Sequence, residues 1–379
     1  MKRVLFIANV PTMISQFNDG NICILMEMGY GVDVACNVTS TGFSPQSTND
    51  RIVHEYAKKG VRFFNVDFGK RYKAFYTLFR SYKRLVEILQ SDDYELVHCH
   101  SHVAGLCGRL AARKCHVKSI FTAHGLVFYK GGPLLNWILF FPQELLMSHW
   151  THTLITINRE DYNLSVKHFK AHKTVFVPGV GIDCLKFSPT KNTNKTFLDG
   201  LEKKANQIWI SSVGELNANK NHEAVIRALA SIQNELIHYF VVGQGELYDY
   251  LSNLACSLGI SERVHLLGFR EDVPMILKRM DIYVLPSIRE GLNVSLMEAM
   301  ATGLPCIARN IRGNRDLIIE NRGGFLFDRD EEISDEILNL VNSQDLRINY
   351  GLYNRNRVMA YSSDCVNTMM KSIYEEALE

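Results

Sequence analysis

The chain has 379 residues, of which 46% are hydrophobic and 22% charged, and its formal net charge at pH 7 is +2. This length favours two domains of about 180 residues each, and the composition excludes a collagen-like, disordered or disulfide-framework protein. The nearly balanced charge gives no support for nucleic acid as a partner. The nine cysteines include no C-x-x-C pair, as is typical of proteins of the reducing cytoplasm.

The amino-terminal sequence, MKRVLFIANV, predicts a β-strand rather than a secretory signal, because it is short and lacks a small-residue cleavage site. No window of about 20 uninterrupted apolar residues occurs, so we expect no membrane-spanning helix. The sequence therefore predicts a protein that is soluble or peripherally attached to a membrane.

Apolar strands alternate with amphipathic helices in the first half of the chain. Strands are predicted at 4–8, 32–36, 96–100, 119–123 and 153–158, with helices at 18–28 and 103–114. Such alternation implies parallel strands joined by right-handed crossovers. The pattern stops after residue 177, and the polar run Lys191–Lys195 indicates an inter-domain boundary near 180–200.

The alternation restarts in the second half. Strands are predicted at 208–213, 239–242, 264–267 and 282–285, with helices at 222–232, 247–258, 273–279 and 294–302. Two such halves predict an α/β protein with two Rossmann-like, doubly wound domains facing each other across a cleft, residues 1–185 and 186–360. A helix predicted over Asn354–Leu378 would bring residues 361–379 back to the first domain. Ligands of such sheets bind beyond the carboxyl ends of the strands.

Residues 289–308, REGLNVSLMEAMATGLPCIA, are the most informative stretch. Glu290 and Glu298 lie on either side of a predicted strand-to-helix junction with Gly291 in its turn. A helix N-terminus behind such a turn offers free backbone N–H groups to an anion, and the flanking carboxylates can bind hydroxyl groups. A phosphate between two polyols describes a sugar nucleotide. The alternative is a simple capping box from Ser295 to Glu298, with Glu290 solvated.

A second loop, VGELNANKNH, places Lys220 before a predicted helix whose N-cap is Asn221, a position that suits a phosphate. A solvated loop lysine is the alternative. The Gly243-Gln244-Gly245 sequence starts like a dinucleotide fingerprint, but position 248 is Tyr, so a nicotinamide dehydrogenase is disfavoured. Gly268 and Phe269 follow another strand and could line a base pocket or form a plain turn.

Histidines in the first half raise two further hypotheses. His124 ends a predicted strand, where it could bind a sugar hydroxyl or stabilise developing charge, or be a structural histidine. His98, His100 and His102 alternate, as metal ligands on one strand face would, but the strand is expected to end near residue 100 and no acidic ligand is close by. We therefore expect no metal.

Two stretches are typical of a membrane-binding surface. Residues 70–84, KRYKAFYTLFRSYKR, carry six basic and five aromatic residues and no acid, a combination that suits anionic headgroups. The segment Leu126–Trp150 is unusually apolar for a surface loop. The alternative is a pair of core-packing helices with a solvated basic face.

Together these residues resemble the family-4 retaining glycosyltransferases of the GT-B fold, over nearly the whole chain. The resemblance rests on the Glu290/Glu298 element, on VGELNANKNH, and on residues 241–274, VVGQGELYDYLSNLACSLGISERVHLLGFREDVP. The motifs FTAHGLVFYKGGPLLNWILFFPQELL, LITINREDY and VPGVGID are similar to the capsule and exopolysaccharide branch. That branch includes enzymes that extend sugars on undecaprenyl diphosphate.

The resemblance implies a role for each matching residue. Glu298 would bind the donor ribose and Glu290 the donor sugar, while His124 would contact that sugar from the opposite domain. His124, Glu290 and Lys220 are the expected catalytic residues. The expected donor-binding residues are Glu298, Gly291, Leu292, Asn293, Val294, Glu215, Gly268 and Phe269. The amides of residues 291–294, with Lys220, would hold the diphosphate.

Two positions depart from the family pattern. Many relatives have Arg where this chain has Glu215, so that Arg270 or Arg289 would have to supply the second cation. The glycine-rich loop that usually follows the first strand is replaced by Val10–Phe17, which leaves the acceptor contacts there open.

The family implies front-face attack on a nucleotide sugar, UDP-linked by branch, without metal or other cofactor. The acceptor would be a polyprenyl-diphosphate-linked saccharide of surface polysaccharide synthesis. The protein would be cytoplasmic, with the inner face of the cell membrane as an anionic docking surface. Two alternatives remain: a catalytically silent sugar-nucleotide-binding or scaffold protein, which Glu215 motivates, and a sugar-nucleotide epimerase of the same fold.

Overall fold

The computed structural model describes residues 1–39, 46–69, 75–189 and 202–379, which form two compact α/β units. The first unit comprises Met1–Gly181 and Ser363–Glu379, and the second comprises Ile182–Ser362. The boundaries predicted after residues 185 and 360 lie within a few residues of these limits. The polar run Lys191–Lys195 lies outside the described residues.

The first unit is built on a parallel sheet. Its strands are β1 (Arg3–Ile7), β2 (Gly31–Cys36), β3 (Arg62–Asn65), β4 (Tyr94–His100), β5 (Lys118–Ala123), β6 (Thr153–Thr156) and β7 (Lys173–Phe176). Its helices are α1 (Pro11–Phe17), α2 (Asp19–Glu27), α3 (Gln46–Lys58), α4 (Phe75–Gln90), α5 (His102–Cys115), α6 (Leu134–Ser148) and α7 (Arg159–His168). The strand order is β3-β2-β1-β4-β5-β6-β7. The central strands are almost wholly buried because helices cover both faces.

The second unit repeats this plan. Its strands are β8 (Ile208–Val213), β9 (Ile237–Val242), β10 (Val264–Leu266), β11 (Ile282–Leu285), β12 (Cys306–Arg309) and β13 (Gly324–Phe327). Its helices are α8 (His222–Ser231), α9 (Tyr248–Ser257), α10 (Val273–Leu277), α11 (Val294–Thr302), α12 (Asn314–Leu317), α13 (Ile333–Val341) and α14 (Gln344–Val358). The strands pair in parallel in the order β10-β9-β8-β11-β12-β13. These two sheets confirm the predicted α/β class with two doubly wound domains.

The carboxyl-terminal segment corrects one prediction. The single helix expected over Asn354–Leu378 is wrong, because α14 ends at Val358 and a separate helix α15 (Ser363–Leu378) begins after a short 3-10 turn. The extended backbone of Ser362, with φ −65° and ψ 153°, makes this break. The preceding Tyr361 carbonyl accepts a hydrogen bond from the Ile182 N–H, at 3.1 Å. Helix α15 then packs on α2 within the first unit.

Each sheet has one point where the strand order reverses, between β1 and β4 in the first unit and between β8 and β11 in the second. Loops on the two sides of such a point diverge and leave a crevice beyond the carboxyl ends of the strands. The loop after β8 carries Lys220, and the turn after β11 carries Glu290. The fold therefore places both predicted residues at the ligand-binding position of their sheet.

Candidate active site

Lys220 and Glu290 meet at the strand-order reversal of the second unit. The Lys220 Nζ lies 2.7 Å from the Glu290 Oε1, and the two side chains are only 20% and 13% exposed. The Lys220 N–H donates to the Asn217 Oδ1 at 3.0 Å, which fixes the loop around the lysine. Asn221 is the N-cap residue of α8, as predicted, but its side chain donates to Asp330 and makes no capping hydrogen bond with the helix. A charged pair thus stands at the mouth of the crevice.

Helix α11 begins beside this pair and spans the predicted residues. Its N-cap is Asn293, whose Oδ1 accepts from the Leu296 N–H at 2.9 Å. The capping-box alternative is therefore wrong, because the Ser295 hydroxyl donates to the Val213 carbonyl instead, at 2.9 Å. The first backbone N–H groups of α11 carry the positive end of the helix dipole. An anion in the turn before Val294 would meet those groups and Lys220 together.

The Glu290–Gly291 turn is supported from behind by two residues that were not predicted from the sequence. The Arg312 Nε donates to the Glu290 carbonyl at 3.2 Å, and Arg312 is only 6% exposed. Gly313 has φ +77°, and a Cβ placed there would lie 2.2 Å from the Gly291 carbonyl oxygen. Gly313, a glycine soon after strand β12, was a local signal of a turn, but no local pattern marked Arg312. These two contacts hold the backbone of the Glu290–Gly291 turn in place.

We expect Gly313→Ala to lower the free energy of unfolding by about 2–4 kcal/mol, because the methyl group adds a backbone clash to a left-handed conformation. Gly259→Ala in the same unit is the matched control, since Gly259 has φ +72° and nothing lies within 4 Å of its Cβ position. Its expected cost is about 1 kcal/mol, from the positive φ alone. Urea denaturation measures both, and equal losses would contradict a close contact at the turn.

Three glycines bring the loops after β8, β9 and β10 together. A Cβ on Gly243, which has φ +151°, would lie 1.9 Å from the Gly214 carbonyl oxygen. The Gly243 N–H donates to the Gly268 carbonyl at 2.8 Å. Phe269 follows with its side chain 67% exposed. The structure thus places Gly268 and Phe269 at the same edge of the sheet as Lys220, where a flat ligand could lie against an exposed ring.

Glu215 lies at this edge of the sheet, at the position where many relatives have arginine. The half-buried Glu215 carboxylate accepts from the Asn217 Nδ2 at 2.9 Å. Arg270, one candidate for the second cation, is paired with Asp272 through two contacts of 2.8 Å. Arg289, the other candidate, has an exposed side chain next to Glu290 in the chain.

In the first unit, His124 lines a polar cavity of about 330 Å³ beyond the strand ends. Its Nε2 lies 3.1 Å from the Nδ1 of His100, and its ring is 5.7 Å from that of Phe17. Burial lowers the pKa of His124 to about 4, so its imidazole is neutral at pH 7. A neutral imidazole can donate or accept a hydrogen bond but carries no charge to a diphosphate. His124 is therefore suited to a hydroxyl group.

Two of the three alternating histidines, His98 and His100, make hydrogen bonds within the first unit. His98 and His100 share a strand face, but His98 contacts the Tyr374 hydroxyl and the Thr122 hydroxyl, both at 2.8 Å. His102 instead begins α5, and its ring makes an edge-to-face contact with that of Phe140. Among the described residues, no three His, Cys, Asp or Glu side chains are grouped to hold a metal ion.

Ser101, between these histidines, was not predicted as a special position. It has φ 65° and ψ 161°, a conformation that is costly for any residue except glycine. Its hydroxyl donates to the Asn9 Oδ1 at 2.8 Å. This contact joins the loops after β1 and β4 at the strand-order reversal of the first unit. No residue type in the sequence signals such strain.

Comparison with known proteins identifies the family. The model of Glycosyltransferase Family 4 matches residues 25–184, and the model of Glycosyl transferases group 1 matches residues 194–357. The UDP-Gal:α-D-GlcNAc-diphosphoundecaprenol α-1,3-galactosyltransferase of Escherichia coli is 33% identical over 282 residues, covering 72% of this chain and 73% of that protein. The chain belongs to glycosyltransferase family 4.

Further relatives of this glycosyltransferase agree with the assignment. EpsD of Bacillus subtilis, a glycosyltransferase by name, is 34% identical over 255 residues, with 65% of this chain and 66% of that protein covered. The crystal structure of HepE from Anabaena, in complex with UDP and glucose, has a TM-score of 0.78 at 18% identity and covers 99% of this chain and 100% of that one. These matches confirm the predicted enzyme class and the GT-B fold.

Glu298 is the second of the two glutamates in the Glu290/Glu298 element of this glycosyltransferase, and its pKa is shifted. Burial in α11 raises the pKa of Glu298 to about 7, an effect that Lys186 partly opposes. Lys186 was not predicted as part of the site. A carboxyl group that titrates near neutrality can hold a proton when the site is empty and release it when hydroxyl donors arrive.

The folded glycosyltransferase binds this proton more tightly than the unfolded chain does. The protonated form of Glu298 therefore contributes to the free energy of unfolding, and this contribution is lost as the pH rises from 4.5 through about 7. We expect Glu298→Gln to raise the free energy of unfolding at pH 8.5 by about 2–3 kcal/mol, and to have little effect at pH 4.5. Urea denaturation at the two pH values measures this difference. A pH-independent effect would show that Glu298 is already ionised in the empty site.

The two stretches predicted for a membrane surface differ in how far the structure describes them. Residues 70–74 lie outside the described residues, while the rest of the basic stretch forms α4. The apolar stretch contains α6. In the described parts of this glycosyltransferase, no helix combines the length and apolarity needed to cross a membrane.

Proposed function

We propose that the enzyme transfers a hexose or N-acetylhexosamine from a UDP-sugar, with retention, to a saccharide linked to polyprenyl diphosphate in surface polysaccharide synthesis. The observation that carries this proposal is the Lys220–Glu290 pair, at 2.7 Å, beside the N-terminus of α11. The Escherichia coli relative supports the acceptor, because its name specifies a diphosphoundecaprenol-linked sugar. The name of that relative and the UDP bound to HepE support the nucleotide.

The proposed donor position follows the geometry of the second unit. Lys220 and the amides of residues 291–294 face the diphosphate, and Glu290 faces the sugar hydroxyls. Glu298, on the next turns of α11, accepts from the ribose hydroxyls in its ionised form. The exposed ring of Phe269, beside Gly268, faces the base. We assign His124 to the donor sugar by family resemblance.

The proposed reaction breaks the bond between the anomeric carbon and the diphosphate oxygen, and forms a bond from that carbon to the acceptor oxygen. The acceptor's proton passes to the departing diphosphate oxygen on the same face. Negative charge develops on the diphosphate, where the Lys220 ammonium and the α11 dipole oppose it. No carboxylate has been assigned as a nucleophile, so we propose one step rather than a double displacement. We assign no metal or other cofactor to this step.

A transfer assay read by mass spectrometry tests the proposal. UDP-, GDP- and ADP-sugars are each offered with a polyprenyl-diphosphate-linked monosaccharide in detergent. A gain of one sugar mass on the lipid with a single donor is the expected result, and it identifies the sugar class. Conversion of the donor to an isomer without any acceptor would instead indicate an epimerase.

One structural observation supports a second candidate function. Glu215 places a carboxylate in the phosphate loop, held by Asn217, where the family pattern has a cation. A silent sugar-nucleotide-binding or scaffold protein would tolerate this loss, since binding needs less charge stabilisation than bond cleavage. Tight nucleotide binding with no transfer to any acceptor would favour this reading.

We also propose a peripheral location at the cytoplasmic face of the membrane, because a polyprenyl-linked acceptor resides there.

A further inference from the structure

The solvent-facing side of α6 is entirely apolar. Its exposed large side chains are Leu134 (73% exposed), Leu135 (62%), Ile138 (60%), Leu139 (54%) and Leu146 (55%). Pro133 and Pro142 are exposed along the same side. The single charged residue of α6, Glu144, is fully buried. A surface helix ordinarily shows its polar face to water, so this orientation is the reverse of the usual one.

The contacts on the inner side of α6 fix this orientation. Glu144 forms two hydrogen bonds with Arg109 of α5, at 2.5 and 2.9 Å, and both side chains are inaccessible to solvent. The Trp137 ring packs 5.5 Å from Phe128, and its Nε1 donates to the Tyr129 carbonyl at 3.2 Å. Rotating the helix to hide its leucines would leave a buried charge unpaired, which is strongly unfavourable. The apolar face is therefore held outward.

Positive charge lies next to this face, on α4 and α5. Apart from the buried Arg109–Glu144 pair, helices α4, α5 and α6 contain five basic residues and one acidic residue, all exposed, a net charge of +4 where the whole chain has +2. Arg113 lies 3.7 Å over the ring of Trp150, just beyond the end of α6. Between α4 and α5, a mainly apolar groove of about 550 Å³ ends at Arg113 and Lys114. Lys83 lies over the exposed Phe79 ring at the groove's other wall.

We propose that α4, α5 and α6 form a docking surface for an anionic lipid bilayer, with the leucine face of α6 entering the acyl region. The exposed cations of α4 and α5 would lie against the lipid phosphates, each adding electrostatic attraction. A second copy of the chain is a poorer occupant, because two surfaces of the same charge repel. This inference rests on the proposed function in one respect: membrane docking would bring the enzyme to a lipid-linked acceptor.

Flotation with vesicles tests the surface without donor or acceptor, so its outcome does not depend on sugar transfer. The wild-type chain is mixed with phosphatidylcholine vesicles containing either no anionic lipid or about one third phosphatidylglycerol, the second giving the negative surface that basic residues recognise. Wild type is expected to float with the anionic vesicles and to be released as salt rises. No flotation of wild type at low salt would overturn the proposal.

Two double variants separate the surface from general hydrophobicity. Leu135→Asn with Leu139→Asn is expected to weaken vesicle binding at least about tenfold, because two inserted side chains are lost. Ile348→Asn with Leu352→Asn is the matched control: the two residues have the same spacing on α14 and are 51% and 57% exposed. Vesicle binding by the control should equal wild type. Equal binding by both double variants would overturn the proposal.

A charge variant and an oligomer measurement complete the test. Arg80→Gln with Lys83→Gln is expected to lower binding to anionic vesicles about tenfold, with little effect on neutral ones. Light scattering of wild type should give a monomer mass. A dimer that Leu135→Asn with Leu139→Asn dissociates would overturn the proposal and assign the face to self-association. Circular dichroism of each variant confirms folding, which the exposed positions should preserve.

Discussion

Lys220→Ala is expected to lower kcat for sugar transfer by about 10³-fold, because the ammonium group opposes charge that develops on the leaving diphosphate. Lys220 is four-fifths buried beside Glu290, so the charge acts with little screening by water. Nucleotide affinity should fall much less, since the ground-state diphosphate also meets the amides at the start of α11. Initial rates with saturating donor, together with calorimetric binding of the nucleoside diphosphate, separate the two effects.

Lys203→Ala provides the control for loss of a paired lysine. Lys203 pairs with Asp281 in the same unit and is 28% exposed, close to the 20% of Lys220. Asp281 lies just before β11, so this pair is at the amino-terminal edge of the sheet, away from the crevice. Turnover by Lys203→Ala should stay within about twofold of wild type, because the chemistry does not involve that edge. Turnover by Lys220→Ala within the same range would remove Lys220 from the mechanism.

Glu290→Gln is expected to lower kcat/KM about 100-fold while leaving nucleoside diphosphate affinity unchanged or slightly higher. The carboxylate faces the sugar in our proposal, and its loss removes contacts that a nucleotide without sugar does not make. It also frees Lys220, whose Nζ lies 2.7 Å from the Glu290 carboxylate, to meet the diphosphate. Transfer rates and calorimetry with and without the donor sugar give the two quantities.

The opposite pattern would assign Glu290 another role. If nucleoside diphosphate affinity fell as much as transfer, Glu290 would serve to position Lys220 rather than to hold the sugar. Asp281→Asn is the matched control, since it removes the carboxylate partner of Lys203 in the same unit. A double variant with Lys220→Ala then measures the coupling, because two residues acting through one contact give less than the product of their separate effects.

Local signals were enough to predict helix α11 and the two loops that form the proposed donor site of the second unit. Helix α11 has the predicted limits, Val294–Thr302, because Gly303 ends it in a left-handed conformation, with φ 84°. The Lys220 loop and the Glu290 turn follow adjacent strands, and parallel strand order alone brings them together. Patterns of period and capping are encoded within a few residues, so they can be detected in one sequence.

Features that depend on distant parts of the chain were not predicted. Arg312 supports a turn that lies more than 20 residues earlier, at the Glu290 carbonyl. The break at Ser362 depends on a contact between Tyr361 and Ile182, and no proline or glycine marks it. Helix α1 was also missed, although Pro11 at its first turn supplies the required φ. Tertiary contacts, rather than local propensity, decide the position of Arg312 and the break at Ser362.

The return of α15 to the first unit has a consequence for synthesis on the ribosome. Tyr374 and Met370 complete a core shared with β1, β2 and β4, yet they are made after the whole second unit. At about 5–20 residues per second, the first sheet waits roughly 10–40 s for its last helix. During that interval its apolar face is open to water and to chaperones. The order of translation therefore makes the second unit the first that can finish folding.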